Sequence, residues 1–153
     1  RNQCRFLFCG NDVDVEPDVY DPLKSYADKN ENIELYSQMP REGIMELING
    51  VDYLLIPSRE DPTPTVAIEG MMLSTPSIIS DACGVTQYMQ DGKDGFIFKS
   101  EKMSSMTKTL RHAIDARLHN MERFDEMCHK ARQNYENNFS YERLRVQLLH
   151  AVG

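Results

Sequence analysis

Residues 53–81 limit the fold more than any other stretch of this chain. Tyr53-Leu54-Leu55-Ile56-Pro57 is an unbroken apolar run of strand length, and Pro76-Ser77-Ile78-Ile79-Ser80 is a second strand-length run, of apolar residues and small serines without charge. Apolar runs that do not alternate with polar residues mark strands buried on both faces. Between them lie a loop stiffened by Pro57, Pro62 and Pro64 and a helical stretch over residues 64–73. A buried strand, a helix and a second buried strand in this order predict a parallel pair joined by a crossover helix.

The same alternation runs through the first two thirds of the chain. Apolar runs at residues 5–9, 33–36, 53–57, 76–80 and 95–98 read as strands, and residues 21–29, 41–49 and 64–73 read as helices. This predicts an α/β fold: a Rossmann-like parallel sheet with helices on both faces and a helical C-terminus. After residue 100, Met103, Met106, Leu110, Ala113, Ile114 and Leu118 recur at three- and four-residue spacing, and so do Met121, Phe124, Cys128, Ala131 and Tyr135. Each set predicts a helical stripe facing a core. Ser140 is predicted to cap a last helix carrying Leu144, Leu148 and Val152. The methionines lie mostly on such faces and read as packing residues. A length of 153 residues is that of one domain.

The opening of the helix after residue 63 is where chemistry is expected. Thr63 suits the N-cap, and Pro64 suits the first helical position, where its missing N–H costs nothing. The amides of Thr65 and Val66 then face out of the helix end, a ready anion site. Asp61 and Glu69 flank that opening, and Glu69 lies four residues after Thr65, on the same face. Carboxylates beside an anion site suit hydroxyl groups, as on a ribose or a sugar. Phosphate plus hydroxyls describes a nucleotide-sugar. Taken alone, the two carboxylates also fit ordinary loop and helix charges.

These residues resemble the C-terminal donor-binding domain of retaining glycosyltransferases with the GT-B fold, often called glycosyltransferase group 1 or family 4. That family reads as an apolar strand ending Pro-Ser, a Glu, seven residues, then a second Glu. Here Pro57-Ser58 and Glu69 match, while Asp61 stands where the first Glu is usual and Pro62 where a Gly is usual. Thr75-Pro76-Ser77-Ile78-Ile79-Ser80-Asp81 resembles the family's next strand. Gly84-Val85 and Asp91-Gly92-Lys93-Asp94-Gly95-Phe96-Ile97-Phe98 resemble its following turn and "DG-x-x-G" hairpin. Phe6-Leu7-Phe8-Cys9-Gly10, Ile33-Glu34-Leu35-Tyr36 with Met39-Pro40-Arg41, and Asn138-Phe139-Ser140-Tyr141 extend the resemblance over nearly the whole chain.

The resemblance implies a single nucleotide-sugar-binding domain over 1–153. It implies that the N-terminal acceptor domain and the domain's first strand are not in this sequence. Asp61 would act at the sugar as the catalytic carboxylate. Glu69, Ser58, Pro64, Thr65, Val66, Gly10 and Met39 would bind the donor. Neither a metal nor a cofactor is implied. The partners would be a nucleoside-diphosphate sugar and a saccharide or lipid-linked acceptor. A cytoplasmic location follows, with peripheral association to the inner face of the membrane through the N-terminal domain. In the family a diphosphate-neutralising Arg and Lys lie upstream of the strand matched here by residues 5–9. Arg59, Arg41 and Lys93 are the local substitutes. A non-catalytic nucleotide-sugar-binding module is the alternative. A third reading rests on Asp12-Val13-Asp14, which follows a strand as the metal-binding D-x-D of GT-A transferases does.

Composition excludes other classes. A net charge of −7 with no Lys/Arg run argues against a nucleic-acid partner. No apolar run approaches the ~20 residues that span a bilayer. Cys4, Cys9, Cys83 and Cys128 form no C-x-x-C pair and read as reduced thiols.

Overall fold

The computed structural model describes residues 4–10 and 17–152. The chain divides into two compact units, the first ending at Ile44 and the second beginning at Met45.

In the first unit, β1 (Phe6–Cys9) and β2 (Ile33–Tyr36) pair in parallel, from Phe6 opposite Ile33 to Cys9 opposite Tyr36. The crossover is α1 (Pro17–Ala27), which starts four residues before the expected 21–29. Proline is favoured at a first helical position, so Pro17 opens the helix, and Pro22 is accommodated inside it. Next comes α2 (Arg41–Asn49), with the expected bounds.

The second unit contains β3 (Leu54–Ile56), α3 (Thr65–Met72), β4 (Ser77–Ser80), a 3-10 turn (Gly84–Tyr88), β5 (Gly95–Phe98), α4 (Met103–His119), α5 (Met121–Asn138) and α6 (Tyr141–Val152). Its strands run parallel in the order β3-β4-β5. The strand-and-helix alternation is as expected. The parallel strands fall into two sheets, of two and three strands, one in each unit.

β4 explains why apolar runs here do not alternate. Ile78 and Ile79 are 3% and 0% exposed and point to opposite faces. Ile79 packs with Ile56, with Ala67 and Met71 of α3, and with Ala131 of α5. Ile78 packs with Phe96 and Phe98, with Ala113 and Ala116 of α4, and with Met127 of α5. Helices therefore cover both faces of the three-stranded sheet. Tyr53 joins the second cluster through Phe96, whose ring centroid lies 6.1 Å away, and its other neighbour is Phe124 at 5.3 Å.

The helical stripes are only partly buried. Met103, Leu118 and Met121 are exposed, as are Tyr141, Leu144 and Leu148 of α6. Three- and four-residue spacing identifies a helix face, but not whether a partner reaches the ends of that face. Ser140 does cap α6: its hydroxyl accepts the Arg143 N–H at 3.3 Å and donates to the Glu136 carbonyl at 2.8 Å. Ser140→Ala should cost α6 about 0.5–2 kcal/mol. Amide exchange should quicken across α6 and stay unchanged in β4, which would show that the effect is local.

Candidate functional site

Because β3, β4 and β5 are parallel, the segments that follow them share one edge of the sheet, where ligands of open α/β sheets sit. The segment after β3 holds Asp61 and leads into α3. It is fastened to the segment after β4. The Gly84 N–H donates to the Asp61 carbonyl at 2.9 Å, and the Asp61 N–H points to the Ala82 carbonyl at 3.5 Å. Asp61 and Cys83 form an isolated parallel bridge.

Beneath this junction Cys83 is 1% exposed. Burial pushes its thiol up, and the Asp61 charge adds to this, while the Ser58 hydroxyl hydrogen-bonds the sulfur and opposes both. Ser58, expected to contact a ligand, is half-buried in the segment between β3 and Asp61.

The expected helix cap is corrected. Pro64, not Thr63, occupies the N-cap, with φ −63° and ψ 104°, and α3 begins at Thr65 with no side-chain cap. The turn before it is closed instead by Asp61, whose Oδ1 accepts the Thr63 N–H at 3.0 Å. A short Asp side chain readily bonds the backbone two residues on, and this outcompetes capping by a threonine. The functional consequence is unchanged. The Ala67 N–H bonds the Pro64 carbonyl at 3.0 Å. The amides of Thr65 and Val66 precede that bond, so they have no partner within the helix. Pro64 is buried, Val66 and Glu69 are half-buried, and Thr65 is exposed. Glu69 sits one turn in from Thr65, just past the middle of α3.

Gly10 and Met39 belong to the first unit. Gly10 follows β1 and donates its N–H to the Tyr36 carbonyl at 3.2 Å. Met39 is half-buried and lies against Gly43 at the start of α2. Arg41 opens α2 in that unit. Of the local cations, Lys93 is corrected: its Nζ bonds Gln90 Oε1 at 3.0 Å in the turn before β5, at the opposite edge of the sheet. Arg59 is exposed and lies on the same loop as Asp61.

The segment resembling "DG-x-x-G" proves to be a structural device. Asp91 Oδ1 accepts the Ile97 N–H at 2.8 Å, and Gly92 has φ +74°, a conformation that favours glycine. Asp94 is 5% exposed. Its Oδ1 accepts the Gln90 N–H at 2.8 Å, and its Oδ2 accepts from Asn134 Nδ2 at 2.9 Å. Burial pushes the Asp94 carboxyl up, against the pull of those two bonds.

One pair at the carboxyl edge had no signal in the sequence. Asp81, after β4, accepts from Lys99 Nζ at 2.9 Å and from the Ser100 N–H at 2.7 Å. The Lys99 bond, with the Ser100 bond next, holds its carboxyl below the usual range. Among the described residues, no group of three or more His, Cys, Asp or Glu stands together as a metal site, and Asp12 and Asp14 lie outside the described residues. No described helix is long and apolar enough to cross a membrane.

Comparison with known proteins places this geometry. Residues 1–137 match the sequence model of the glycosyl transferases group 1. An uncharacterized glycosyltransferase of Methanocaldococcus jannaschii is 22% identical over 127 residues, covering 82% of this chain and 35% of the relative. The crystal structure of HepE from Anabaena, in complex with UDP-glucose, superposes with a TM-score of 0.79 at 16% identity, over 98% of this chain and 42% of that one. The catalytic domain of starch synthase IV from Arabidopsis thaliana, bound to ADP and acarbose, superposes at 0.77 with 12% identity, over 98% of this chain and 38% of that one. The chain thus spans well under half the length of these relatives. Its architecture is that of one half of a GT-B fold.

Proposed function

The chain belongs to the glycosyl transferases of group 1, and we propose that it is the donor-binding half of a retaining enzyme. That enzyme moves a hexose from a nucleoside-diphosphate sugar to a saccharide or lipid-linked acceptor. The observation that carries this reading is the opening of α3. Two amides without helical partners stand there, with Asp61 on the loop just before them and Glu69 one turn after them in the chain. The amides of Thr65 and Val66 receive the diphosphate, and the partial positive charge of the helix end steadies it as it leaves. Glu69 accepts hydrogen bonds from the ribose diol. Asp61 lies at the sugar, with Oδ1 spent on its own turn and Oδ2 left for a hydroxyl. Arg59 is the cation on this loop.

Two solved relatives, bound to UDP-glucose and to ADP, support a nucleotide-sugar donor and leave the base open. The acceptor would bind a preceding domain, in the cytoplasm or at the inner face of a membrane. A non-catalytic binding module is favoured by one observation. Pro62 offers no amide, and the Asp61 carboxylate already closes a turn.

Transfer from UDP-, ADP- and GDP-linked hexoses by the full-length protein separates the readings. Activity that persists in EDTA is expected, because amides and cationic side chains neutralise the diphosphate. Loss in EDTA, restored by manganese and abolished in Asp14→Ala, would move the site to the D-x-D triplet. Donor binding without turnover by the full-length protein would favour the module. Residues 1–153 alone are expected to transfer nothing.

A further inference from the structure

Asp61 is held in place by a neighbour that binds nothing itself. A Cβ at position 84 would fall inside van der Waals contact of the Pro62 carbonyl oxygen and 3.2 Å from its carbon. Those atoms belong to the backbone, so they cannot swing aside as the end of a flexible side chain would. The same glycine donates its N–H to the Asp61 carbonyl at 2.9 Å. Cys83, one residue earlier, bridges Asp61 and meets the Ser58 hydroxyl. The Asp61 loop therefore rests on the segment 82–84 through backbone contacts that leave no room for a side chain.

We infer that Gly84 is a positioning residue for Asp61, setting the carboxylate against the donor sugar through the backbone of residues 61 and 62. This rests on the donor-site reading above. Any larger residue at 84 must lift the loop at Asp61 and Pro62. The amides of Thr65 and Val66 are anchored separately, because α3 is pinned to the sheet by Ala67 and Met71, both 0% exposed. Lifting the loop should therefore separate two properties that a general loss of structure would lower together: binding of the diphosphate and transfer of the sugar.

The experiment compares Gly84→Ala with wild type in the full-length protein. Nucleoside diphosphate affinity is read by titration with UDP, ADP and GDP, and kcat by transfer from the corresponding hexose conjugate. Diphosphate affinity should stay within about threefold, while kcat falls about 100-fold, the scale on which a small misplacement of a reacting group tells. In an Asp61→Asn background, Gly84→Ala should lower residual transfer by less than about twofold, since both changes act on the same carboxylate. Equal loss of diphosphate affinity and kcat, or losses that multiply in the double variant, would overturn the inference. If Gly84→Ala is not recovered folded, Cys83→Ala decides by the same readouts, because it loosens the segment 82–84 against the Asp61 loop without adding an atom. A wild type that binds none of the three diphosphates removes the donor reading itself. A wild type that binds, with multiplying losses, removes only the role of Gly84.

Discussion

Glu69→Ala in the full-length protein is expected to weaken nucleoside diphosphate binding by about 1.5–3 kcal/mol, the range for hydrogen bonds to a charged group. The carboxylate stands one turn inside α3, where it can accept both hydroxyls of a ribose while the amides of Thr65 and Val66 hold the phosphates. Replacing it removes those bonds and leaves the helix opening as it was. Glu69 also has an interaction of its own within the fold. Thermal unfolding of variant and wild type separates any loss of stability from loss of the ribose contacts. Titration with UDP, ADP and GDP checks the result, and affinities equal to wild type for all three would sink the ribose role. The inorganic diphosphate ion sharpens the test, since it has no ribose. Its affinity should not fall in the variant.

Asp94→Ala should lower stability by about 2–5 kcal/mol, because the variant orphans two donors in the interior and each such donor costs about 1–3 kcal/mol. The Gln90 N–H and the Asn134 amide both lose their acceptor. Asn134 would keep only its bond to the Tyr88 carbonyl as donor, 2.7 Å long. Denaturant unfolding of variant and wild type measures the difference. Its pH dependence has a definite sign. Burial raises the Asp94 carboxyl above its unfolded value. The fold thus favours the protonated form, a contribution fully present below the unfolded pKa and lost as pH rises through the folded one. The stability gap between wild type and Asp94→Ala should narrow as pH rises from the ordinary carboxylate pKa through the raised one. A salt-bridged carboxylate would show the opposite trend.

β4 was legible because burial on both faces leaves a mark that needs no neighbours, whereas β1, β2 and β3 expose Phe8, Tyr36 and Leu55 and were legible from their apolar and aromatic content. Ser77–Ser80 is apolar or small at every position, and in the structure every one of its residues is buried. The loop and helix after β3 were legible for a similar local reason, since proline and the residues around it restrict the backbone whatever surrounds them. The misread cap shows the limit of such rules. Thr63 and Asp61 can each close the turn before α3, and the choice depends on where the strand delivers the chain. Here the bridge from Asp61 to Cys83 fixes the backbone at residue 61, and the Asp61 side chain takes the Thr63 amide.

From local chemistry alone the sequence determined the order of elements, the parallel crossover at residues 54–80 and the opening of α3 with its flanking carboxylates. Each of these depends on a residue's own backbone preference or on spacing within one element. Tertiary structure decided the rest, because it depends on residues far apart in the chain. Asn134 reaches Asp94 across forty positions and turns a glycine-rich hairpin into a buried anchor. Lys93 is carried to the far edge of the sheet, since it lies in the turn before a parallel strand and the site lies on segments that follow such strands. The apolar face of α6 is periodic in sequence yet exposed, for spacing cannot say whether a neighbour arrives. Gly84 looked like any turn residue. Only the backbone of Pro62 lying against it shows why a side chain has no room there.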